Sequence, residues 1–190
     1  MILTPDNEYA VLLDACVLAP MPLCDTLLRL AEEPSFYRPL WSDTILQEVG
    51  STLQNKLGRT LAQADRRLKV MREYFPEALV EVPEDLVNAL TCLPDKNDRH
   101  VLAAAIAGHA DAIVTFNDRD FPEAIIKQYG ILRQSPDEFL VHQFHLAPEA
   151  VLEKLDAQAL ILKAQRKDVT ARLRQLVHAP RFADLADSRS

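Results

Sequence analysis

Short apolar runs alternate along this chain with stretches whose apolar residues recur at helical spacing. The run from Tyr9 to Leu13 ends at Asp14 and predicts a strand buried on both faces. Pro20 and Pro22 interrupt the chain, and Leu23, Leu27, Leu28 and Leu30 then predict a helix over 23–33 that stops at Pro34. Residues 38–41 predict a second strand. Behind it, Ser42-Asp43-Thr44 is a capping sequence for a helix carrying Ile45, Glu48, Val49, Thr52 and Leu53. Glu48 therefore stands about one and a half turns into that helix. A charged, helix-favouring segment covers 60–74, residues 78–82 predict a third strand, and Pro83 opens another helical stretch.

From Leu93 to His109, the acidic and amide residues Asp95, Asn97 and Asp98 open an Ala-rich helix that closes near Gly108. Residues 112–115 predict a strand that runs into Phe116-Asn-Asp-Arg-Asp-Phe121. Strands alternating with helices imply an α/β fold with a parallel sheet covered on both sides. Beyond residues 136–139 the pattern becomes helical over 149–178, with no further strand and no internal repeat. The expected organisation is one α/β domain over 1–145 and a helical extension over 146–190.

Composition narrows the function classes. A chain of 190 residues with 48% hydrophobic and 26% charged residues buries a core of ordinary size, which excludes disordered, collagen-like and coiled-coil classes. Only 4 Gly stand beside 12 Pro, and neither GxGxxG nor GxxxxGK[ST] occurs, which excludes the Gly-rich phosphate cradles. A net charge of −7 cannot draw in nucleic acid from a distance. Residues 151–190, however, carry 8 Lys+Arg against 5 Asp+Glu, while the rest of the chain carries 13 against 23. This basic tail is either a polyanion contact or a solvated helical face. With no apolar stretch of membrane-spanning length and no secretory leader, a soluble cytoplasmic protein is expected. Cys16, Cys24 and Cys92 form no CxxC and are expected to be reduced, mostly buried thiols.

Ligands of parallel α/β sheets bind at the carboxyl ends of the strands. Asp14 ends the first strand, and Asn117, Asp118 and Asp120 follow the 112–115 strand. Asp98 starts the helix leading to that strand, and Glu48 leans from the helix after the second. Carboxylates gathered in this way raise one another's pKa unless a cation is bound. Oxygen donors without a His/Cys pattern favour Mg²⁺ or Mn²⁺ over Zn²⁺. Each residue also has a plainer role: Asp14 ending a strand, Asp43 and Asp98 capping helices, Glu48 facing solvent. His100 and His109 lie too far apart for a helical zinc pair and are read as surface or packing residues. His142 and His145 lack a third ligand, and Cys16 lacks a basic partner that would activate it. A receiver-like or phosphatase-like protein would place adjacent acids or Asp-x-Asp behind the first strand, and neither is present.

The segments Val11-Leu-Leu-Asp14-Ala-Cys-Val-Leu18, Trp41-Ser-Asp-Thr-Ile-Leu-Gln-Glu48, Leu93-Pro-Asp95-Lys-Asn-Asp98-Arg-His-Val-Leu-Ala-Ala-Ala105 and Ile113-Val-Thr115-Phe-Asn-Asp-Arg-Asp120-Phe-Pro122 resemble the PIN-domain ribonucleases. More narrowly, the chain is similar to the VapC-type toxins of bacterial toxin–antitoxin pairs, in a longer form with a C-terminal helical extension. The likeness covers about residues 9–140. It implies a three-layer α/β/α fold with a central parallel sheet and a metal-dependent endoribonuclease. On this resemblance Asp14, Glu48 and Asp98 match the first three acidic positions that hold Mg²⁺ or Mn²⁺. The fourth position is Asp120, Asn117 or Asp118, with Ser42 and Thr115 in supporting places. Cys16 departs from the Asn that many members carry. The resemblance further implies an RNA substrate such as tRNA, an antitoxin partner filling the crevice with an Arg, and a homodimer. The alternative is a non-catalytic PIN-fold module that binds protein or RNA.

Overall fold

The strands at the centre of the sheet are short and apolar at every position, so they are stable only where both faces are covered. In the computed structural model, which describes residues 8–93 and 95–189, all of β1 (Ala10–Leu13) and β4 (Ala112–Val114) is buried, and β2 (Arg38–Ser42) is buried beyond its first residue. The polar leader before Glu8, and Pro94 in the segment that opens the Ala-rich helix, lie outside the described residues. The chain order begins β1, α1 (Ala15–Leu18), α2 (Leu23–Ala31), β2, α3 (Asp43–Asn55), α4 (Leu61–Tyr74), β3 (Leu79–Val80) and α5 (Glu84–Ala89). It continues α6 (Arg99–Ala107), β4, α7 (Glu123–Ile126), β5 (Leu132–Gln134), α8 (Pro136–Leu146), α9 (Pro148–Ile161), α10 (Arg166–Leu176) and α11 (Pro180–Asp187).

The five strands form one sheet in the order β3-β2-β1-β4-β5, and β1 pairs in parallel with both β2 and β4. The chain therefore moves outward from β1 to β2 and β3, and returns to the other side of β1 as β4. Such a reversal of strand order opens a crevice beyond the carboxyl ends of the two central strands. Helices flank this sheet in the three-layer α/β/α arrangement expected. The third strand is shorter than the 78–82 reading, because only Leu79 and Val80 pair, with Trp41 and Ser42. The sequence gives no signal for β5, whose residues Leu132, Arg133 and Gln134 form no apolar run.

Two compact units divide the chain, and they interleave. One comprises Tyr9–Ala19 and Arg38–Arg133; the other joins Pro20–Tyr37 to Gln134 and the helices that follow. A division at residue 145 follows chain order, whereas these units do not. In the second unit, α2 packs against α9, and α8 packs against α11. Its core holds a polar joint in which Thr26 Oγ1 donates to Gln158 Oε1 at 2.9 Å and Gln158 Nε2 donates to the Pro22 carbonyl at 3.2 Å. Three of the eight basic residues of 151–190 are ion-paired within this unit. Arg166 pairs with Asp156, Arg174 with Asp184 and Asp187, and Arg189 with Glu149.

In the sheet-bearing unit, Gly108 closes α6 where the helix passes close over the sheet. A Cβ there would lie 2.8 Å from Val80 Cγ2 and 2.9 Å from Leu40 Cδ1. Arg67 donates to the carbonyls of Leu18 and Ala19, at 2.6 and 2.9 Å, satisfying the last carbonyls of α1 and fixing the turn behind Asp14. Cys24 is buried and Cys16 half-buried, as expected of reduced thiols. Cys92 is exposed, contrary to that expectation, because it lies in the turn after α5 rather than on an apolar face.

Candidate active site

The pairing of β1 with β4 fixes the centre of the crevice. Leu13 stands opposite Val114, and the ladder extends one step further as Asp14 N–H donates to the Val114 carbonyl at 3.2 Å. Asp14 and Thr115 therefore leave their strands side by side. Thr115, wholly buried, donates its hydroxyl to Asp14 Oδ2 at 2.6 Å and accepts the Asn117 backbone N–H at 3.0 Å. The hydroxyl is thus oriented by its own loop before it orients the carboxylate.

Cys16 completes this joint. Its thiol donates to Asp14 Oδ2 at 3.1 Å, lies 3.4 Å from Thr115 Oγ1 and accepts the Phe116 N–H at 3.3 Å. The sulfur thus makes polar contacts with Asp14 and the β4 loop at the position where the resemblance places an Asn. Burial first, and Asp14 second, push the Cys16 thiol up to about 12, so it stays protonated and remains a donor to the carboxylate. No described donor falls on Asp14 Oδ1. The side-chain donors thus converge on Oδ2 of the carboxylate.

Asp98 comes from a different direction. It closes a 3-10 turn over Lys96–Asp98, shaped by Asp95 Oδ1 accepting the Asn97 N–H at 2.8 Å, and it precedes α6. Asn117 Nδ2 reaches Asp98 Oδ2 in a long contact of 3.5 Å. Burial, followed by the negative charges of Asp120, Asp14 and Asp95, pushes the Asp98 carboxyl up to about 6. Asp14 and Asp120 thus act electrostatically on Asp98 from two other segments of chain. Asp118, the other acidic candidate in the loop, is exposed and paired with Arg133 of β5.

Glu48 has another partner. Its Oε2 lies 3.4 Å from His100 Nε2, while His100 Nδ1 meets the Asn97 carbonyl at 2.6 Å. Both ring nitrogens face acceptors, which suits an imidazolium. Burial works against the charged ring, but Glu48 and the Asn97 carbonyl outweigh it and raise the His100 pKa. His100 is therefore a half-buried link between α3 and the start of α6, not a surface residue. Only the acid at the other end, 52 positions earlier, would have revealed it. Ser42 caps α3, accepting the Ile45 N–H at 3.2 Å, and so sets the helix that carries Glu48; Asp43 is the first helical residue rather than the cap. His142 is held by Gln134 at 2.7 Å, in the helical unit, which leaves its pairing with His145 without support.

The donor set around Asp14, Asp98, Asn117 and Asp120 is made of oxygens, with like charges unrelieved by any Lys or Arg among those acting on Asp98. Such a set fits a hard divalent cation. Among the described residues, no three His, Cys, Asp or Glu side chains close into a ready-made cage.

Comparisons with known proteins give two matches and one absence. The family model described as "PIN domain" matches residues 10–119. A segment of 53 residues is 49% identical to the protein of Mycobacterium tuberculosis (strain ATCC 25618 / H37Rv) named "Putative ribonuclease VapC50", covering 28% of this chain and 31% of that protein. The chain therefore aligns with about a third of that relative's length. No solved structure matches.

Proposed function

Because the chain belongs to the PIN-domain family, we propose that it is a metal-dependent endoribonuclease, the toxin of a toxin–antitoxin pair. The observation that carries this reading is the joint at the strand reversal. There Thr115 and Cys16 hold one oxygen of Asp14, and Asn117 of the same loop reaches Asp98. Asp14, Asp98 and Asp120 would hold Mg²⁺ or Mn²⁺, with Glu48 entering through His100. The ion, when bound, supplies a water made nucleophilic at neutral pH and relief of charge on the phosphodiester oxygens.

The chain's own residues do the rest. Thr115 and Cys16 fix Asp14 in direction, because both donate to one oxygen of its carboxylate. Asn117 restrains Asp98 relative to the β4 loop. Ser42 sets the pitch of α3, and His100 ties Glu48 of that helix to the start of α6. The RNA strand, with tRNA as the expected class, is met by the crevice. A cognate antitoxin would place a cation, an Arg in the simplest case, among these carboxylates. The protein is expected to work as a homodimer in the cytoplasm. Among the described residues no helix is long and apolar enough to cross a membrane.

The other reading is a PIN-fold module that binds RNA or protein without cutting. One experiment separates the two. Total RNA is incubated with the wild-type protein in Mg²⁺, with the wild type in EDTA, and with Asp14→Asn in Mg²⁺. Cleavage in the first alone supports the nuclease; intact RNA in all three, with RNA still retained by the protein, supports the binding module.

A further inference from the structure

Phenylalanine sorts sharply in this protein. Of seven residues, Phe36, Phe121, Phe139, Phe144 and Phe182 are at most 2% exposed, and Phe75 meets Trp41 edge to face with ring centroids 6.0 Å apart. Phe116 is 39% exposed, and among the described residues no ring or cation meets it. Single exposed apolar residues are ordinary. The position of this one is not, since it stands between Thr115, which holds Asp14, and Asn117, which reaches Asp98. Its own N–H is bonded to Cys16 Sγ. The ring is therefore mounted between two residues whose side chains contact the carboxylates, on a backbone N–H held by the Cys16 sulfur.

A nuclease with this crevice has an electrostatic difficulty. Affinity for nucleic acid comes largely from basic groups on phosphates, yet the chain carries −7 overall and the site gathers carboxylates. A neutral aromatic face is not subject to that repulsion. Bases stack on such faces when they are unpaired, in single strands, loops and bulges, whereas in duplex RNA they are already stacked on their neighbours. On the nuclease reading, we propose that Phe116 is a specificity-determining residue: its ring stacks an unpaired base beside the scissile phosphate, directing cleavage to single-stranded or looped RNA.

The test combines binding and cleavage. Trp41 is the only tryptophan and is wholly buried, so Phe116→Trp places an exposed reporter at this position. In EDTA, where cutting does not interfere, its fluorescence is expected to be quenched by short oligoadenylate and not by a duplex of equal length. Phe116→Leu keeps an apolar side chain and the backbone N–H but removes the π-face. It is expected to raise KM on unstructured RNA by roughly tenfold with kcat little changed, while Phe116→Tyr stays near wild type. A melting temperature for Phe116→Leu equal to that of wild type excludes a folding defect as the cause. Equal quenching by duplex and single strand, or an unchanged KM in Phe116→Leu, overturns the inference. A wild type that cuts RNA with Phe116→Leu as its equal sinks the inference alone. A wild type that cuts no RNA sinks the nuclease reading, whatever the fluorescence shows.

Discussion

Thr115 and Asp14 are joined by a 2.6 Å hydrogen bond from hydroxyl to carboxylate, across the carboxyl ends of two adjacent parallel strands. The donor is wholly buried and is itself fixed by the Asn117 N–H. Thr115→Val keeps the shape and removes the donor. We expect it to lower Mg²⁺ affinity or RNA cleavage by roughly 10- to 100-fold, the range found when a ligand-orienting hydrogen bond is lost. Thr115→Ser, which retains the hydroxyl, should recover most of the loss. Calorimetric titration of Mg²⁺ alongside the cleavage assay separates lost affinity from lost turnover.

The two acids of the β4 loop are expected to behave differently. Asp120 acts on Asp98, whereas Asp118 is exposed and paired with Arg133. Asp120→Asn should cost cleavage by about tenfold or more. Asp118→Asn should leave cleavage near wild type and stability within about 1 kcal/mol, the usual worth of an exposed ion pair. Similar cleavage losses in both would show that the loop turns over in the working enzyme.

The sign of the Asp98 shift sets a pH dependence for the metal-free protein. Its folded-state value of about 6 lies above the ordinary 3.8, so the folded state binds the proton more tightly. The stability it contributes is fully present below the unfolded value and is lost as pH rises through the folded one. In EDTA, the melting temperature of Asp98→Asn should therefore rise relative to wild type between about pH 4 and 7. A difference that does not change over that range would remove Asp98 as its source.

The thiols are expected to react in order of exposure. Cys16, pushed up to about 12, has only ~10⁻⁴ of its thiol ionised at pH 8. Iodoacetamide at that pH should therefore label exposed Cys92 well before Cys16. Peptide mapping over time gives the order, and labelling of Cys16 first would show that the joint opens.

Gly108→Ala should destabilise the fold by about 1–3 kcal/mol, because the added methyl meets side chains of β2 and β3 at 2.8 and 2.9 Å. Urea unfolding measures the loss, and Mg²⁺ affinity should be unchanged in the protein that remains folded.

The sequence revealed the elements whose signals are local. The apolar runs of β1 and β4 had only to be short and bounded, and the helix of Glu48 announced itself through Ser42, which does cap it. Asp14, Asp98 and the β4 loop were placed by the rule that parallel strands deliver side chains at their carboxyl ends. Other features depended on partners remote in the chain. Leu132–Gln134 becomes a strand only beside β4, and His100 reads as a helix-start histidine until Glu48 is set against it. In sequence, Cys16 is indistinguishable from a small apolar residue; its two-way hydrogen bonding exists only once Phe116 and Asp14 are neighbours. The sequence favours Asp120 but leaves Asp118 open, and only the pairing of Asp118 with the remote Arg133 sets the two apart.

The interleaved units set an order of assembly. The apolar side of α2, with Leu23, Leu27 and Leu30 buried, is made early, but its cover in α9 leaves the ribosome on the order of a hundred residues later. At ordinary elongation rates the nascent chain carries that greasy face without its mate for on the order of ten seconds. A ribosome stalled after α8 would hold a product whose early helix has nothing to lie against, an invitation to chaperones and proteases. A fragment ending near residue 145 lacks α9, and we expect limited proteolysis to cut it in α2 sooner than the full chain.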